Sequence, residues 1–221
     1  MLTACWSVKG GSGTTVVAAG LALGMTSVGR AVVAADFGGD LPAVLGVADP
    51  AGPGLLDWLE AGPAVPVDGL ARIAHLSDGG ITIVPRGEWS TRAGAGDADA
   101  GVRLADALRV VRGGSPVVAD CGTVDTAAMR AFVGAADRSF LVLRPCYLAL
   151  RRALVAPRPT AVVLVTEPDR ALRAADVEDV LGVPVVACIN WEPAIARAVD
   201  SGLINRRLPR QLANALREVA A

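Results

Sequence analysis

An α/β fold, a three-layer, mostly parallel sheet with helices on both faces, is predicted by two observations. Short apolar runs alternate with helical segments through all 221 residues. Those runs are continuously apolar, as strands buried on both faces must be, and do not alternate polar with apolar. Composition agrees: 52% of the residues are hydrophobic but only 4% aromatic. The core must therefore be built from Ala, Val and Leu, which suits close packing of helices on a sheet.

The elements follow in order. An apolar strand over 2–8 leads into Val8-Lys9-Gly10-Gly11-Ser12-Gly13-Thr14-Thr15, and an apolar helix covers 16–25. A second strand, 31–35, ends on Asp36. The turn-rich loop Phe37-Gly38-Gly39-Asp40-Leu41-Pro42 follows, then a helical segment to Leu45. Asp49-Pro50-Ala51-Gly52-Pro53-Gly54 is a break. Short helices are expected over 55–59 and 67–74, and a strand over 81–84 closed by Pro85-Arg86-Gly87. The polar, glycine-rich stretch 88–101 reads as a mobile surface loop before a helix over 102–111. A buried strand, 117–119, ends on Asp120. Helices over 126–135, 148–155, 176–181, 194–199 and 209–219 then alternate with strands over 140–143, 161–165 and 185–189. With no internal repeat and no long linker, residues 1–221 are expected to form a single domain.

Composition also excludes. No apolar run is long enough to span a membrane, and the N-terminal segment lacks the positive start of a secretory signal, so a cytoplasmic protein is expected. A net charge of −1 predicts no general attraction to nucleic acid or anionic lipid. Cys5, Cys121, Cys146 and Cys188 are widely spaced and form no CxxC pair, and are expected to be small buried thiols. His75 is the only histidine, leaving histidine-based metal sites and Ser-His-Asp triads little to build on.

The chemistry concentrates at strand ends, where ligands bind in open parallel sheets. Three glycines among residues 10–13 let backbone N–H groups converge, and the helix that follows adds its positive N-terminus. A hydroxyl at Thr15 and a strand-end carboxylate at Asp120 are the groups that hold Mg²⁺ beside a nucleotide's phosphates. Of 21 basic residues only Lys9 is a lysine. Its survival in the glycine loop suggests a place where a compact ammonium is needed and a planar guanidinium cannot enter.

At this point the chain resembles the MinD/ParA family of ATPases. Lys9-Gly10-Gly11-Ser12-Gly13-Thr14-Thr15 is similar to their deviant Walker A motif, KGGxGK[ST], and Val117-Val118-Ala119-Asp120-Cys121-Gly122 looks like their Walker B strand. Asp36 sits where the family carries the first aspartate of a DxD. The segments 54–59, 81–87, 136–145 and 189–202 resemble further family segments in serial order, so the likeness covers nearly the whole chain. It implies a cytoplasmic protein that binds ATP or ADP with Mg²⁺ and forms a homodimer face to face. Lys9 then reaches the partner's phosphates, and an unidentified protein cargo is positioned. The implied nucleotide-binding residues are Lys9, Gly10, Gly11, Ser12, Gly13, Thr14 and Thr15, with Thr166, Asn190 and Trp191 near the base. Thr15 and Asp120 would hold the metal, and Lys9, Asp36 and Asp40 are the candidate catalytic groups.

Three departures carry weight. Thr14 replaces the lysine that contacts the β- and γ-phosphates. Gly38 replaces the second aspartate of the DxD, with Asp40 two residues on as the nearest substitute. Thr166 stands where many relatives have an asparagine that reads adenine. Loss of one phosphate-contacting cation should weaken binding by roughly 1.5–3 kcal/mol, and hydrolysis should be slow or lost. The TadZ/CpaE branch is similar in having degenerate loops. Two other readings stay open: an active ParA-type ATPase for DNA partitioning, and an interaction scaffold that binds no nucleotide. Arg206, Arg207, Arg210 and Arg217 are assigned to the C-terminal helix and read as a solvated face in preference to a DNA- or membrane-contacting patch. Trp58 is expected in the core, and Trp89 and Trp191 are possible partner anchors.

Overall fold

A computed structural model describes residues 1–66, 68–77, 79–87, 97–168 and 170–220. Its strands are β1 (Leu2–Ser7), β2 (Val32–Asp36), β3 (His75–Leu76), β4 (Ile81–Val84), β5 (Val117–Thr123), β6 (Arg138–Leu143), β7 (Ala161–Thr166) and β8 (Val185–Asn190). They form one sheet in the order β3-β4-β2-β5-β1-β6-β7-β8. Every pairing is parallel except that of β3 with β4. The central strands β1, β2 and β5 are mainly apolar and buried, except at the end of β5 where Thr123 is exposed, as strands covered on both faces must be.

The helices are α1 (Thr14–Ser27), α2 (Leu41–Leu45), α3 (Leu55–Glu60), α4 (Gly69–Arg72), α5 (Ala98–Val110), α6 (Ala127–Ala135), α7 (Tyr147–Ala153), α8 (Ala174–Leu181), α9 (Pro193–Asp200) and α10 (Arg210–Ala220). Two apolar layers separate them. On one face α3, α5, α6, α7 and α8 pack on Leu2, Ala4, Trp6, Val33 and Ala35. On the other, α1, α2, α9 and α10 pack on Cys5, Val32, Ala34 and Val118. The buried Trp6 indole donates to Ser139 Oγ at 2.9 Å, joining β1 to β6. Close approach of α10 to α1 depends on Gly20, because a Cβ there would lie 2.8 Å from Leu216 Cδ1.

The predicted elements are present, with boundary corrections. The helix expected over 16–25 begins at Thr14, and that expected over 102–111 begins at Ala98, where Asp97 accepts from the Ala100 amide at 2.9 Å. The helix expected over 67–74 shortens to Gly69–Arg72. The two-residue edge strand β3, which contains His75, has too short an apolar signature to be read in advance. Within the expected loop 88–101, residues 88–96 and with them Trp89 lie outside the described residues. Cys5 and Cys121 are buried as expected, but Cys146 is half-buried and Cys188 exposed, since β8 is an edge strand with one face outward. Arg206 and Arg207 precede α10 in a turn. Arg210 and Arg217 are on its exposed side while Leu212, Leu216 and Val219 are buried.

Candidate functional site

The sheet order reverses direction around β1: the chain leaves β1 toward β2 on one side and returns from β5 to β6 on the other. The carboxyl ends of β1, β2 and β5 therefore meet at a switch point, where a crevice is expected. A cleft of about 630 Å³ opens there, lined by Gly10 through Val16, Gly38, Asp40, Arg86, Gly122 and Asp125 among others. Gly11 and Gly13 hold left-handed backbone at φ +74° and +88°, which glycine reaches without steric cost. A Cβ at Gly10 or Gly11 would touch nothing, so this side of the loop is open. Gly13 is the N-cap of α1 and has no side chain to bond the first-turn amides, which leaves the positive helix end to a ligand.

The loop is braced from behind. Ser12 Oγ donates to the Lys9 carbonyl at 2.8 Å, and Ser7 Oγ is within hydrogen-bond reach of the Lys9 and Gly122 carbonyls. Arg144 Nη1 donates to the Gly11 carbonyl at 3.1 Å, and Arg152 Nη1 to that of Val8 at 3.4 Å. Arg144 is also ion-paired with Glu167, which in turn accepts from Arg170 Nε at 2.8 Å. No spacing in the sequence ties positions 144 and 152 to the loop. The pairing of β6 with β1 brings them there.

Asp120 lies opposite Asp36 in the β2–β5 register. The Gly122 amide donates to Asp120 Oδ1 at 3.2 Å, and the Thr15 hydroxyl lies near enough to the carboxylate to favour its charged form. Oδ2 is buried with no hydrogen-bond partner among the described residues. Burial raises the Asp120 pKa, and nearby Asp40 adds to this, while the Thr15 hydroxyl and the Gly122 amide pull it down. Asp36 is pushed up to about 6, chiefly by burial, although the Gly39 amide donates to Oδ1 at 2.7 Å and the nearby Leu41 amide also favours the charged form. It does not line the cleft; its carboxylate holds the 37–41 turn. Asp40 is exposed on the cleft wall. Buried carboxylates that repel one another beside a hydroxyl, one with an orphaned oxygen, are a donor set that a divalent cation would satisfy.

A second cleft of about 270 Å³ adjoins the other side of the loop, lined by Gly11, Ser12, Gly13, Arg144, Val165, Ile189, Asn190 and Trp191 among others. Trp191 is 51% exposed. Thr166 donates to Asn190 Oδ1 at 2.8 Å, so it orients the amide and does not itself line this cleft. Trp58 is buried, with the Arg103 guanidinium 4.0 Å from its ring centroid. Lys9 is exposed at the mouth of the glycine loop.

Several solved structures match this fold over nearly the whole chain. MinD from Pyrococcus horikoshii with Mg-ADP superposes with a TM-score of 0.77 at 22% identity, over 99% of this chain and 93% of that one. The fold is that of the MinD and ParA ATPases. A ParA family ATPase from Chlorobium tepidum superposes at 0.74 with 19% identity, over 99% and 98% of the two chains. The ATP complex of an McdA variant from Cyanothece superposes at 0.75 with 17% identity, over 99% and 94%. Among curated sequences, an uncharacterized protein of Mycobacterium tuberculosis, in two strains, is 35% identical over 147 residues, 63% of this chain. The chain spans 41% of the length of these curated relatives. No protein-family model matches. Among the described residues, no helix of this MinD/ParA-like structure is long and apolar enough to cross a membrane.

Proposed function

We propose that this chain is a MinD/ParA-type positioning protein that binds Mg-ATP weakly, dimerises on doing so and hydrolyses it slowly or not at all. The observation that carries the reading is Thr15 on the wall of a cleft rimmed by the open glycine loop, with the buried Asp120 carboxylate near its hydroxyl and Oδ2 unpartnered among the described residues. Thr15 and Asp120 would hold the metal, which supplies charge neutralisation at the phosphates. Gly10 to Thr15 would cradle those phosphates through backbone amides, with Asn190 and Trp191 bordering the base. Lys9, which is exposed, would reach a partner's nucleotide. MinD from Pyrococcus horikoshii with Mg-ADP and the McdA–ATP complex, which share the fold, support the choice of ligand. Thr14 supports weak binding, and the degenerate loop supports a TadZ/CpaE-like role on a protein cargo.

Calorimetry with Mg-ATP, and size-exclusion chromatography with Mg-ATP, with ADP and without nucleotide, test the reading. A dimer is expected with Mg-ATP only, and Lys9→Arg should abolish it while leaving nucleotide binding by the monomer. A monomer in all three states with no heat of binding would overturn it. A second reading, an active ParA-type partitioning ATPase, is favoured by the position of Asp40 on the cleft wall. It requires phosphate release that rises with DNA and falls in Asp40→Asn.

A further inference from the structure

The glycine pair after β2 is shaped around an arginine. Arg86 follows β4, the neighbour of β2 in the sheet, and its side chain enters the 630 Å³ cleft that the glycine loop lines. Its Nη1 donates to the Gly38 carbonyl at 2.6 Å. A Cβ on Gly39 would stand 3.2 Å from Arg86 Cδ and 3.4 Å from Nη1. Gly39 also holds φ +94°, so position 39 combines a left-handed turn with clearance for the arginine stem.

The base of the side chain is fixed as well. The amides of Leu55 and Leu56 donate to the Pro85 and Arg86 carbonyls at 2.9 and 3.0 Å. Gly54 permits that contact, since a Cβ there would collide with the backbone of residues 85–87. Arg86 is thus a half-buried cation on a rigid mount, facing the same space as Thr14, Thr15 and Asp40.

We propose that Arg86 is the phosphate-binding cation of this cleft, serving a nucleotide polyphosphate from the wall opposite the position where Thr14 stands in place of a lysine. A guanidinium offers five donors in a fixed fork. The bond to the Gly38 carbonyl fixes the group at the cleft wall, and a guanidinium fork can bridge more than one acceptor. A half-buried position strengthens such charge-assisted bonds relative to an exposed one. The assignment rests on the nucleotide-binding reading above.

The test is the affinity of the full chain for Mg-ATP and for AMP, by calorimetry, in wild type, Arg86→Ala and Arg86→Lys. Circular dichroism melts establish that each variant is folded, and Arg86→Gln, which keeps most of the stem and a donor, replaces Ala if that variant is not. The expected result is a loss of at least about tenfold for Mg-ATP in Arg86→Ala, the order of one charge-assisted hydrogen bond. The loss should be smaller for AMP, partly restored by Lys, and accompanied by a shallower salt dependence. Unchanged Mg-ATP affinity, or equal losses for ATP and AMP, would overturn the role of Arg86 and leave the nucleotide reading standing. Absence of binding by the wild type would overturn that reading and this assignment together.

Discussion

Two glycine loops follow parallel strands on either side of β5, and they use glycine for opposite reasons. After β1, a Cβ at Gly10 or Gly11 would meet open space; the absent side chains leave room for something from outside. After β2, a Cβ at Gly38 would lie 3.2 Å from Asp120 Oδ2, and one at Gly39 would press on Arg86. There the room is already used by the protein. The first loop is open and the second is a joint. The sequence GG looks alike in both places, and only the neighbours tell them apart.

The largest effect should come from forcing the second loop to resemble its relatives. Gly38→Asp restores the carboxylate that the MinD/ParA resemblance leads one to expect, but it introduces a third acid beside two whose pKa values are already raised by burial. Without metal it should destabilise the protein by about 3 kcal/mol or more at pH 7, the scale of an uncompensated buried charge. Acidification or Mg²⁺ should recover part of this, by protonating or bridging the carboxylates. Urea unfolding at pH 7 and pH 5, with and without Mg²⁺, measures it. A variant as stable as wild type at pH 7 in chelator would show that the joint has room to spare.

A smaller effect isolates Asp36. Its folded pKa of about 6 lies above the ordinary value of 3.8. Between those pH values the folded state holds the proton that the unfolded state has released, so stability falls as pH rises through this window and levels off above it. Asp36→Asn removes the titration while its Oδ1 can still accept from the Gly39 amide. Relative to wild type, Asn should therefore gain on the order of 2–3 kcal/mol between pH 4 and pH 7, because each pH unit separating the folded and unfolded titrations is worth about 1.36 kcal/mol. A pH-independent difference in urea midpoints would remove Asp36 as the strained group of this turn.

The same contrast explains what could be read in advance. Sheet class, strand positions and the glycine loop were legible because each leaves a local signature: continuous apolar runs, and glycines between a strand and a helix. The juxtaposition of Asp36 with Asp120 needed the β2–β5 register. The bracing of the loop by Arg144 and Arg152 needed the pairing of β6 with β1. Arg86 was visible only as the residue closing a strand, because its contact with the Gly38 carbonyl depends on β4 lying next to β2. Cys188 was misjudged because an apolar run does not say whether its strand is central or at the edge. In each case the missing information is a long-range neighbour.

The smallest effect on stability should fall on the first loop, where the comparison is sharpest. Gly10 does not hold a left-handed backbone, and a Cβ there meets nothing within 4 Å. Gly10→Ala should leave unfolding free energy unchanged or raise it by up to about 1 kcal/mol, because the new residue narrows the unfolded ensemble at no folded-state cost. Gly39→Ala, by contrast, sets a Cβ at φ +94° against Arg86 and should cost about 1–3 kcal/mol. Binding should invert this order in one respect: the methyl group at position 10 stands in the space a phosphate would take, so Mg-ATP affinity should fall although the fold is as stable as before. Paired urea titrations and calorimetry on Gly10→Ala read both quantities on one protein. Full Mg-ATP affinity in that variant would mean that the open side of the loop is not the side a phosphate approaches.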